Sequence, residues 1–255
     1  MNEASDTRPL IEFRNVSYRP DHGQEILSGL TVDIRSGETL ILLGRSGSGK
    51  TTTLKLINRL LPASNGEIRV DGKSIGEWDV IRLRRMMGYV IQEAGLFPHL
   101  TVEANIGLVP KIESWPAPRI RERVNELLSL VGLHPQIASR YPRELSGGQR
   151  QRVGVARALA ADPPILLMDE PFGALDPLTR VELQREFHAL QKRLHKTVIF
   201  VTHDLREGLL LGSRIALLEA GKLIAMHTPP EFLASPDPLV VAYREAFQNH
   251  FETED

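Results

Sequence analysis

A glycine-rich segment at residues 44–51 has the residue types and the spacing that phosphate chemistry requires. Four residues separate its first glycine from a Gly-Lys-Thr triplet, and the segment reads Gly44-Arg45-Ser46-Gly47-Ser48-Gly49-Lys50-Thr51. Glycines let backbone N–H groups close around phosphate oxygens where side chains would clash, and Lys50 adds a charge for the β- and γ-phosphates. The Thr51 hydroxyl is suited to ligate Mg²⁺. The pattern predicts a phosphate-binding loop, and the alternative is a flexible Gly/Ser turn.

Two acidic residues, Asp169 and Glu170, follow an apolar run at residues 165–168. The run predicts a buried strand, and acids at its carboxyl end would lie at the sheet edge where α/β proteins bind ligands. Asp169 is suited to hold Mg²⁺, directly or through water, and Glu170 to polarise an attacking water. Taken alone, such a pair could equally cap a helix or face solvent. A phosphate loop in the same chain favours the catalytic interpretation.

A second anion site is indicated at residues 145–149, which read Leu-Ser-Gly-Gly-Gln. Ser146 is a preferred N-cap residue, and the free N–H groups and partial positive charge of a helix start attract anions. In the simpler interpretation Ser146 caps an ordinary helix. However, Gly147 and Gly148 would each lower helix stability by roughly 1 kcal/mol relative to alanine. That cost favours a site at which the backbone must come close to another group.

Strands and helices alternate around these motifs. Apolar and alternating runs predict strands at residues 11–18, 26–34, 38–43, 66–71, 88–91, 165–168 and 197–201. Helices are predicted from residue 50, at 119–131 and at 177–195, and a closing hairpin at 215–218 and 222–226. Asp176 and Pro177 fit the N-cap and first turn of the third helix. Helices dominate between about residues 93 and 160, so the order predicts an α/β core interrupted by one helical insertion.

Composition excludes several other classes of function. The chain has 31 Lys and Arg against 32 Asp and Glu, a formal charge of −1, so nucleic-acid binding receives no electrostatic support. It has no cysteine, which excludes disulfide scaffolds, thiol catalysis and thiolate metal sites. No apolar stretch is long enough to cross a bilayer, and the polar residues 1–9 lack the apolar centre of a signal peptide. We therefore expect a cytoplasmic protein that binds no nucleic acid.

The order of these motifs resembles that of the nucleotide-binding subunit of an ATP-binding cassette (ABC) transporter. The resemblance covers nearly the whole chain, about residues 10–230. The features that carry it are, in chain order, the phosphate loop, Gln92, residues 145–149, Asp169-Glu170, residues 174–176 and His203. A small-molecule kinase would have no use for the 145–149 segment or for His203. A soluble ABC protein of DNA repair or translation would usually carry a long coiled-coil insertion or two cassettes.

The resemblance implies a fold and a division of the chain. The fold would be α/β, a P-loop NTPase (RecA-like) with a mostly parallel sheet core, an antiparallel β subdomain and an inserted α-helical subdomain. The chain would form a single ABC ATPase domain. Its ATP-binding core would comprise residues 8–92 and 158–230, its helical signature subdomain residues 93–157, and its C-terminal tail residues 231–255.

The resemblance also implies a shared ATP site. In this family two cassettes dimerise head to tail, and each ATP lies between the phosphate loop of one and the signature, here residues 145–149, of the other. Ser146, Gly147 and Gly148 would then bind the γ-phosphate of the partner's ATP, and Asp176 would cross the dimer interface. Tyr18 stands where an aromatic residue stacks on adenine, although by itself it would be expected to pack at a strand end. The implied ATP-binding residues are Tyr18, Gly44, Arg45, Ser46, Gly47, Ser48, Gly49, Lys50, Thr51, Thr52, Gln92, Ser146, Gly147, Gly148, Gln149, Asp169, Asp176 and His203.

Catalytic and metal-binding roles follow from the same resemblance. The implied Mg²⁺ ligands are Thr51, Gln92 and Asp169. Glu170 would be the general base, Lys50 would neutralise phosphate charge, and His203 would donate to the γ-phosphate. Gln92 would contact Mg²⁺ and the lytic water and sense the membrane subunit, although a lone Gln there is usually structural. Because Gln92 and His203 each follow an apolar strand, both are expected at the carboxyl edge of the sheet.

One stretch narrows the type of transporter. Residues 89–101, continuing to 109–111, are similar to the ATPases of importers for quaternary amines, the glycine betaine, choline and proline osmoprotectant systems. This similarity implies that ATP hydrolysis drives osmoprotectant uptake through a membrane permease. The alternative is another ABC system, which imports a different polar solute or handles lipids or export. Leu96, Phe97 and Pro98 would suit a groove on the permease if exposed, and buried packing is an equal alternative.

Partners and location are also implied. The ATPase would pair with a second copy of itself or with a paralogue, bind transmembrane permease subunits and depend indirectly on a solute-binding protein. It would be peripheral, on the cytoplasmic face of the inner membrane. Many members of the group carry a C-terminal pair of regulatory domains. With its last residue at Asp255, this sequence is expected to have no room for them.

Overall fold

The computed structural model describes residues 8–92 and 94–252. Most of the polar stretch at residues 1–9, the acidic end at residues 253–255 and Glu93 lie outside the described residues. The described chain divides into two compact units. One consists of the residues up to Leu83 together with those from Thr197 onward, and the other consists of residues 84–196.

The elements alternate as the sequence predicts. The strands are β1 (Ile11–Tyr18), β2 (Leu27–Ile34), β3 (Thr39–Leu43), β4 (Asn65–Val70), β5 (Lys73–Ser74), β6 (Met87–Val90), β7 (Ile165–Asp169), β8 (Thr197–Thr202), β9 (Arg214–Glu219) and β10 (Lys222–His227). The α-helices are α1 (Lys50–Ile57), α2 (Val80–Arg85), α3 (Val102–Ile106), α4 (Leu108–Ile112), α5 (Ala117–Leu130), α6 (Gly147–Leu159), α7 (Pro177–Leu194), α8 (Leu205–Leu211), α9 (Pro229–Ala234) and α10 (Pro238–Glu252). Among the described residues, no helix is long and apolar enough to cross a membrane.

The first unit contains an antiparallel sheet and a mostly parallel set of strands. The antiparallel sheet has the order β2-β1-β4-β5, and the second set has the order β10-β9-β3-β8. β3 runs parallel to both β8 and β9, whereas β9 and β10 form the predicted antiparallel hairpin. β3 and β8 are buried along their whole length, as expected for continuous apolar runs inside a parallel sheet.

The second unit is mainly helical and is organised around a parallel pair of strands, β6 and β7. α5 buries Val124, Leu127 and Leu128 along one face, as its apolar spacing predicts. α6 lies so close to β6 that a side chain at Gly88 would overlap the carbonyl of Ala158. β6, β7, α5 and α7 all lie within two residues of the predicted bounds.

Candidate functional site

The phosphate loop leaves the carboxyl end of β3 and runs directly into α1. Gly47 and Gly49 have φ angles of 80° and 99°, in the left-handed region that side chains other than glycine rarely adopt. A side chain at Gly44 would overlap the carbonyl of Leu218, and one at Gly49 would come within 2.5 Å of Leu27 Cδ2. The chain's own packing therefore requires glycine at these positions.

Polar groups are concentrated inside this loop. Lys50 is 5% exposed, and its Nζ donates to the carbonyls of Gly44 (2.7 Å) and Arg45 (2.8 Å). The hydroxyl of Ser48 is buried and has no hydrogen-bond partner among the described residues. Apart from Gly47 and its two chain neighbours, no atom of the described residues lies within 4 Å of the place where a Cβ on Gly47 would stand. A buried cation, an unsatisfied hydroxyl and open space beside the backbone together fit an anionic group such as a phosphate.

The remaining loop residues are more accessible. Arg45 and Ser46 are exposed, and Thr51 and Thr52 are half-buried in the first turn of α1. Tyr18, at the end of β1, is also half-buried and pairs across the sheet with Leu27, the residue whose side chain faces Gly49. Leu27 therefore lies between Tyr18, its partner across the sheet, and Gly49 of the phosphate loop.

His203 lies beside the phosphate loop because of strand register. Leu43 and Thr202, the last residues of β3 and β8, are paired, so Gly44 and His203 leave the same sheet edge on adjacent strands. The Thr202 hydroxyl donates to Glu207 Oε2 (2.5 Å) and accepts the N–H of Asp204 (3.0 Å). These bonds fix the backbone on both sides of His203, whose own side chain is exposed.

Register produces a second cluster in the other unit. Val90 pairs with Met168, so the residues that follow β6 leave the same edge as Asp169 and Glu170. Gln92 is exposed there, and Asp169 is buried. The hydroxyl of Tyr89 donates to Asp169 Oδ2 across 3.5 Å. Burial, and then the charge of Asp169, raise the pKa of Tyr89, which therefore keeps its proton.

Tyr89 has a role at this edge that sequence reasoning missed. The signal was available, because Tyr89 precedes Gln92 by three residues in a predicted strand. Its partner Asp169 lies 80 residues further along the chain, however, and only the pairing of β6 with β7 brings them together.

The backbone of Glu170 is strained. Its φ angle is 44°, in the left-handed region that is uncommon for residues other than glycine. The carbonyl of Glu170 accepts the N–H of Gly173 (3.2 Å), which closes a turn directly after the acid pair. Such strain persists only where surrounding contacts impose it, and it is found frequently at functional sites.

The segment at residues 145–149 forms a complete helix cap. Ser146 Oγ accepts the N–H of Gln149 (3.2 Å), and Gln149 Oε1 accepts the N–H of Ser146 (3.0 Å). A Cβ on Gly148 would lie 2.6 Å from Thr179 Cγ2, so packing of α6 on α7 explains that glycine. A Cβ on Gly147 would lie no closer than 3.7 Å to any atom. Contacts within the chain therefore explain Gly148 but not Gly147.

Asp176 caps α7 as predicted, with Oδ1 accepting the N–H of Thr179 (3.0 Å). This hydrogen bond holds the pKa of Asp176 below its ordinary value. Arg180, one turn further on, donates through Nη2 to the carbonyls of Gly173 and Leu175, both at 3.3 Å. These hydrogen bonds stabilise the loop between Glu170 and Asp176. Arg180 was not identified from the sequence as a residue of the site.

Comparison with known families decides what kind of protein carries this geometry. Residues 27–173, more than half of the chain, match the ABC transporter family. The chain belongs to this family. The family resemblance of the motifs is thereby confirmed.

Relatives with assigned roles are found within the ABC family. The chain is 52% identical over 227 residues to the choline transport ATP-binding protein OpuBA of Bacillus subtilis (strain 168), covering 89% of this chain and 60% of that protein. It is 48% identical over 227 residues to the glycine betaine uptake system ATP-binding protein YehX of Escherichia coli (strain K12), covering 89% and 73%. The chain thus spans about three fifths of the length of the first relative.

A solved structure confirms the predicted fold of this ABC family member. The ATP-binding cassette MJ0796, a dimer in a post-hydrolysis state bound to ADP and Pi, is 33% identical, with a TM-score of 0.76. The match covers 86% of this chain and 98% of that cassette. The chain has the α/β P-loop NTPase fold, with a mostly parallel core and an additional antiparallel sheet.

Proposed function

We propose that this chain is the ATP-hydrolysing subunit of an ABC importer for a quaternary amine or related osmoprotectant. The observation that carries the proposal is the phosphate loop, whose glycines are required by packing and whose Lys50 is buried within it. Relatives named for choline transport and glycine betaine uptake support the substrate class.

ATP is proposed to bind at a head-to-tail dimer interface. Ser146 is exposed, and a Cβ on Gly147 would make only ordinary van der Waals contact, 3.7 Å from Leu175 Cδ2, so a phosphate from outside the chain can approach this helix start. The MJ0796 cassette is dimeric with ADP and Pi bound, which supports the proposal that the nucleotide-bound form is a dimer. In each site the phosphate loop of one subunit would face Ser146, Gly147 and Gly148 of the other.

The residues of this chain would divide the chemistry among them. The N–H groups of the phosphate loop, Lys50 and the Ser48 hydroxyl bind the β- and γ-phosphates. Glu170 orients and deprotonates the attacking water, and His203 donates to the γ-phosphate. Most of the acceleration comes from positioning the water in line and neutralising charge away from bulk solvent.

Magnesium fits the donor set that the sequence predicts. Thr51, Gln92 and Asp169 offer a hydroxyl, an amide and a carboxylate oxygen, and Mg²⁺ prefers such hard oxygen ligands. When bound, the ion neutralises charge on the phosphate oxygens. The hydroxyl of Tyr89 donates to Asp169 Oδ2 and helps to fix the orientation of this carboxylate.

Transport requires partners in the membrane. We propose that the chain binds permease subunits from the cytoplasmic face and that a solute-binding protein acts indirectly through the permease. Phe97 is 41% exposed and Pro98 is exposed, so the segment at residues 89–101 offers apolar surface to such a partner. The sequence left buried packing open for Leu96, Phe97 and Pro98; this alternative is wrong for Phe97 and Pro98, whereas Leu96 is half-buried.

Mixed dimers test the shared site. Ser146→Arg places bulk and positive charge where the γ-phosphate would lie, and Lys50→Ala removes the cation of the loop. All chains also carry Glu170→Gln, so that occluded ATP rather than turnover is measured. A mixed dimer of the two variants contains one intact site and should trap up to one ATP, whereas either variant alone should trap little.

The matched control places both defects in one chain. A dimer of a Lys50→Ala/Ser146→Arg chain with a chain carrying neither substitution contains two sites with one defect each. Differently tagged chains allow both heterodimers to be purified and their bound nucleotide to be counted. Equal trapping by the two heterodimers, or none by the first although its chains associate, would contradict the shared site.

The substrate class is tested in membranes that contain the ATPase with its permease. A solute-binding protein loaded with choline or glycine betaine should stimulate ATP hydrolysis. Stimulation by a sugar-loaded binding protein instead would reject the quaternary-amine class and leave the ATPase mechanism intact.

A further inference from the structure

Arg157, near the end of α6, holds a turn that lies 62–63 residues earlier in the chain. Its Nη1 donates to the carbonyl of Gly95 (2.8 Å) and its Nη2 to the carbonyl of Ala94 (2.9 Å). The planar guanidinium thus binds two consecutive carbonyls through two nitrogens held in a fixed geometry, which the single, freely rotating ammonium of a lysine does not provide. Burial lowers the pKa of Arg157, so the charge is partly removed from water and depends on these carbonyls.

The turn at Ala94 and Gly95 is shaped to meet α6. Both residues have left-handed φ angles, 61° and 51°, and a side chain at Gly95 would overlap Ile91. Ala94 is buried, and its Cβ lies 3.1 Å from where a Cβ on Gly154 would stand. The turn therefore packs on the helix one turn before Arg157 and is also hydrogen-bonded to it.

The same helix carries the signature at its other end. α6 runs without interruption from Gly147 to Leu159, and a helix of this length is about 20 Å long. The C-terminal end of α6 also packs closely on β6, the strand that leads to Gln92, because a side chain at Gly88 would overlap the carbonyl of Ala158. The signature and the turn at Ala94 and Gly95 are thus attached to opposite ends of one helix.

We propose that Arg157 is a positioning residue that couples the turn at Ala94 and Gly95, which follows shortly after Gln92, to the signature at the N-terminal end of α6. This inference rests on the proposed function, in which the signature binds the partner's ATP. When ATP engages the N-terminus of α6, the helix moves as a body and Arg157 carries the turn at Ala94 and Gly95 with it. Movement of the turn by another protein displaces the signature in the same way.

A merely structural role would have different consequences. If Arg157 only stabilised the fold, its loss would lower the unfolding temperature, and the response of the turn to ATP would persist. Coupling requires that the response be lost while ATP still binds. The test must therefore measure the two quantities separately.

A fluorescent label makes this separation possible. The chain has no cysteine, so His99→Cys, at an exposed position near the turn, accepts a single thiol-reactive fluorophore. In a Glu170→Gln background, ATP should change the label's emission. Arg157→Met should reduce that change at least fivefold, while ATP affinity, measured with radiolabelled nucleotide, stays within threefold of the parent. Arg157→Lys, which keeps the charge, should show an intermediate response.

Arg152→Met is the matched control. Arg152 lies on the same helix and also donates to a carbonyl, that of Val131, but its hydrogen bonds among the described residues go to Val131 and Glu186 and not to the turn at Ala94 and Gly95. Its replacement should leave the label's response to ATP intact.

The outcomes separate the inference from the function on which it rests. A full response in folded Arg157→Met or Arg157→Lys, or no response in a parent that binds ATP, would overturn the coupling role alone. Failure of the labelled parent to bind ATP would overturn the proposed function and the inference with it. If Arg157→Met does not fold, the Arg157→Lys response decides.

Discussion

The phosphate loop and the signature differ in the physical reason for which they contain glycine. In the phosphate loop, Gly44 and Gly49 are required by neighbouring atoms of the same unit, and Gly47 and Gly49 by left-handed backbone angles. At the signature, the cap formed by Ser146 and Gln149 is complete, and only Gly148 is required by packing. The glycines of the phosphate loop are thus required by the packing and backbone angles of their own chain, whereas the signature is a stable helix start in which contacts among the described residues leave Gly147 unexplained.

Under the proposed function, this difference predicts that the phosphate loop binds ATP before the signature does. A loop with a buried cation and an unsatisfied hydroxyl is prepared to hold phosphate in a single subunit. An exposed, fully capped helix start offers only N–H groups and a partial charge, so it contributes once another surface delivers the phosphate. The following predictions test this contrast in order of expected effect.

Glu170→Gln should leave both loops intact and remove only the charged base. Turnover should fall about 100-fold or more, the usual cost of losing a general base, while ATP is retained in a dimer. Steady-state hydrolysis and trapped nucleotide measure the two effects. Glu182→Gln, an exposed acid on α7, is the control, and turnover within threefold of wild type in Glu170→Gln would refute the role of Glu170.

Lys50→Ala should weaken ATP binding by the isolated subunit. Loss of a charge-assisted hydrogen bond of about 1.5–3 kcal/mol corresponds to an affinity weaker by roughly 10- to 160-fold. Ser146→Ala should leave that affinity unchanged and reduce only ATP trapping in the dimer. Equilibrium binding to monomers checks both, with Lys55→Ala on the same helix as control. Equal losses of ATP affinity in Lys50→Ala and Ser146→Ala monomers would contradict the proposal that the phosphate loop alone binds ATP in the isolated subunit.

Alanine substitutions at the two signature glycines should have opposite effects on stability. Gly148→Ala should destabilise the fold by about 1–3 kcal/mol, because the new Cβ meets Thr179. Gly147→Ala should be neutral or stabilising by up to about 1 kcal/mol. Both should reduce ATP trapping in a Glu170→Gln dimer. Normal ATP trapping by Gly147→Ala would show that ATP binding does not require glycine at position 147.

The caps of α6 and α7 should differ in their response to pH. The folded-state pKa of Asp176 is lowered, so its cap contributes stability above about pH 4, the ordinary range for Asp, and loses it as the pH falls further. Asp176→Asn keeps a capping side chain without the charge. Wild type should therefore unfold at a higher temperature than this variant at pH 7, with the difference shrinking below pH 4. A constant difference between pH 7 and pH 3 would contradict this assignment.

Local pattern was sufficient for much of the fold and for the candidate site. Continuous apolar runs located β3, β7 and β8, and the motif spacing located the phosphate loop, the acid pair and the cap at Ser146. These features depend on residues within a few positions of each other, and local sequence therefore encodes them.

The tertiary structure alone decided the contacts between distant segments. Tyr89 with Asp169, Gly148 with Thr179 and Arg157 with the turn at Ala94 involve residues 31 to 80 positions apart. The left-handed backbone of Glu170 and the exposure of Phe97 could not be predicted from the sequence either. Each depends on which faces of strands and helices pack together, and periodicity shows that a face is apolar without showing which partner covers it.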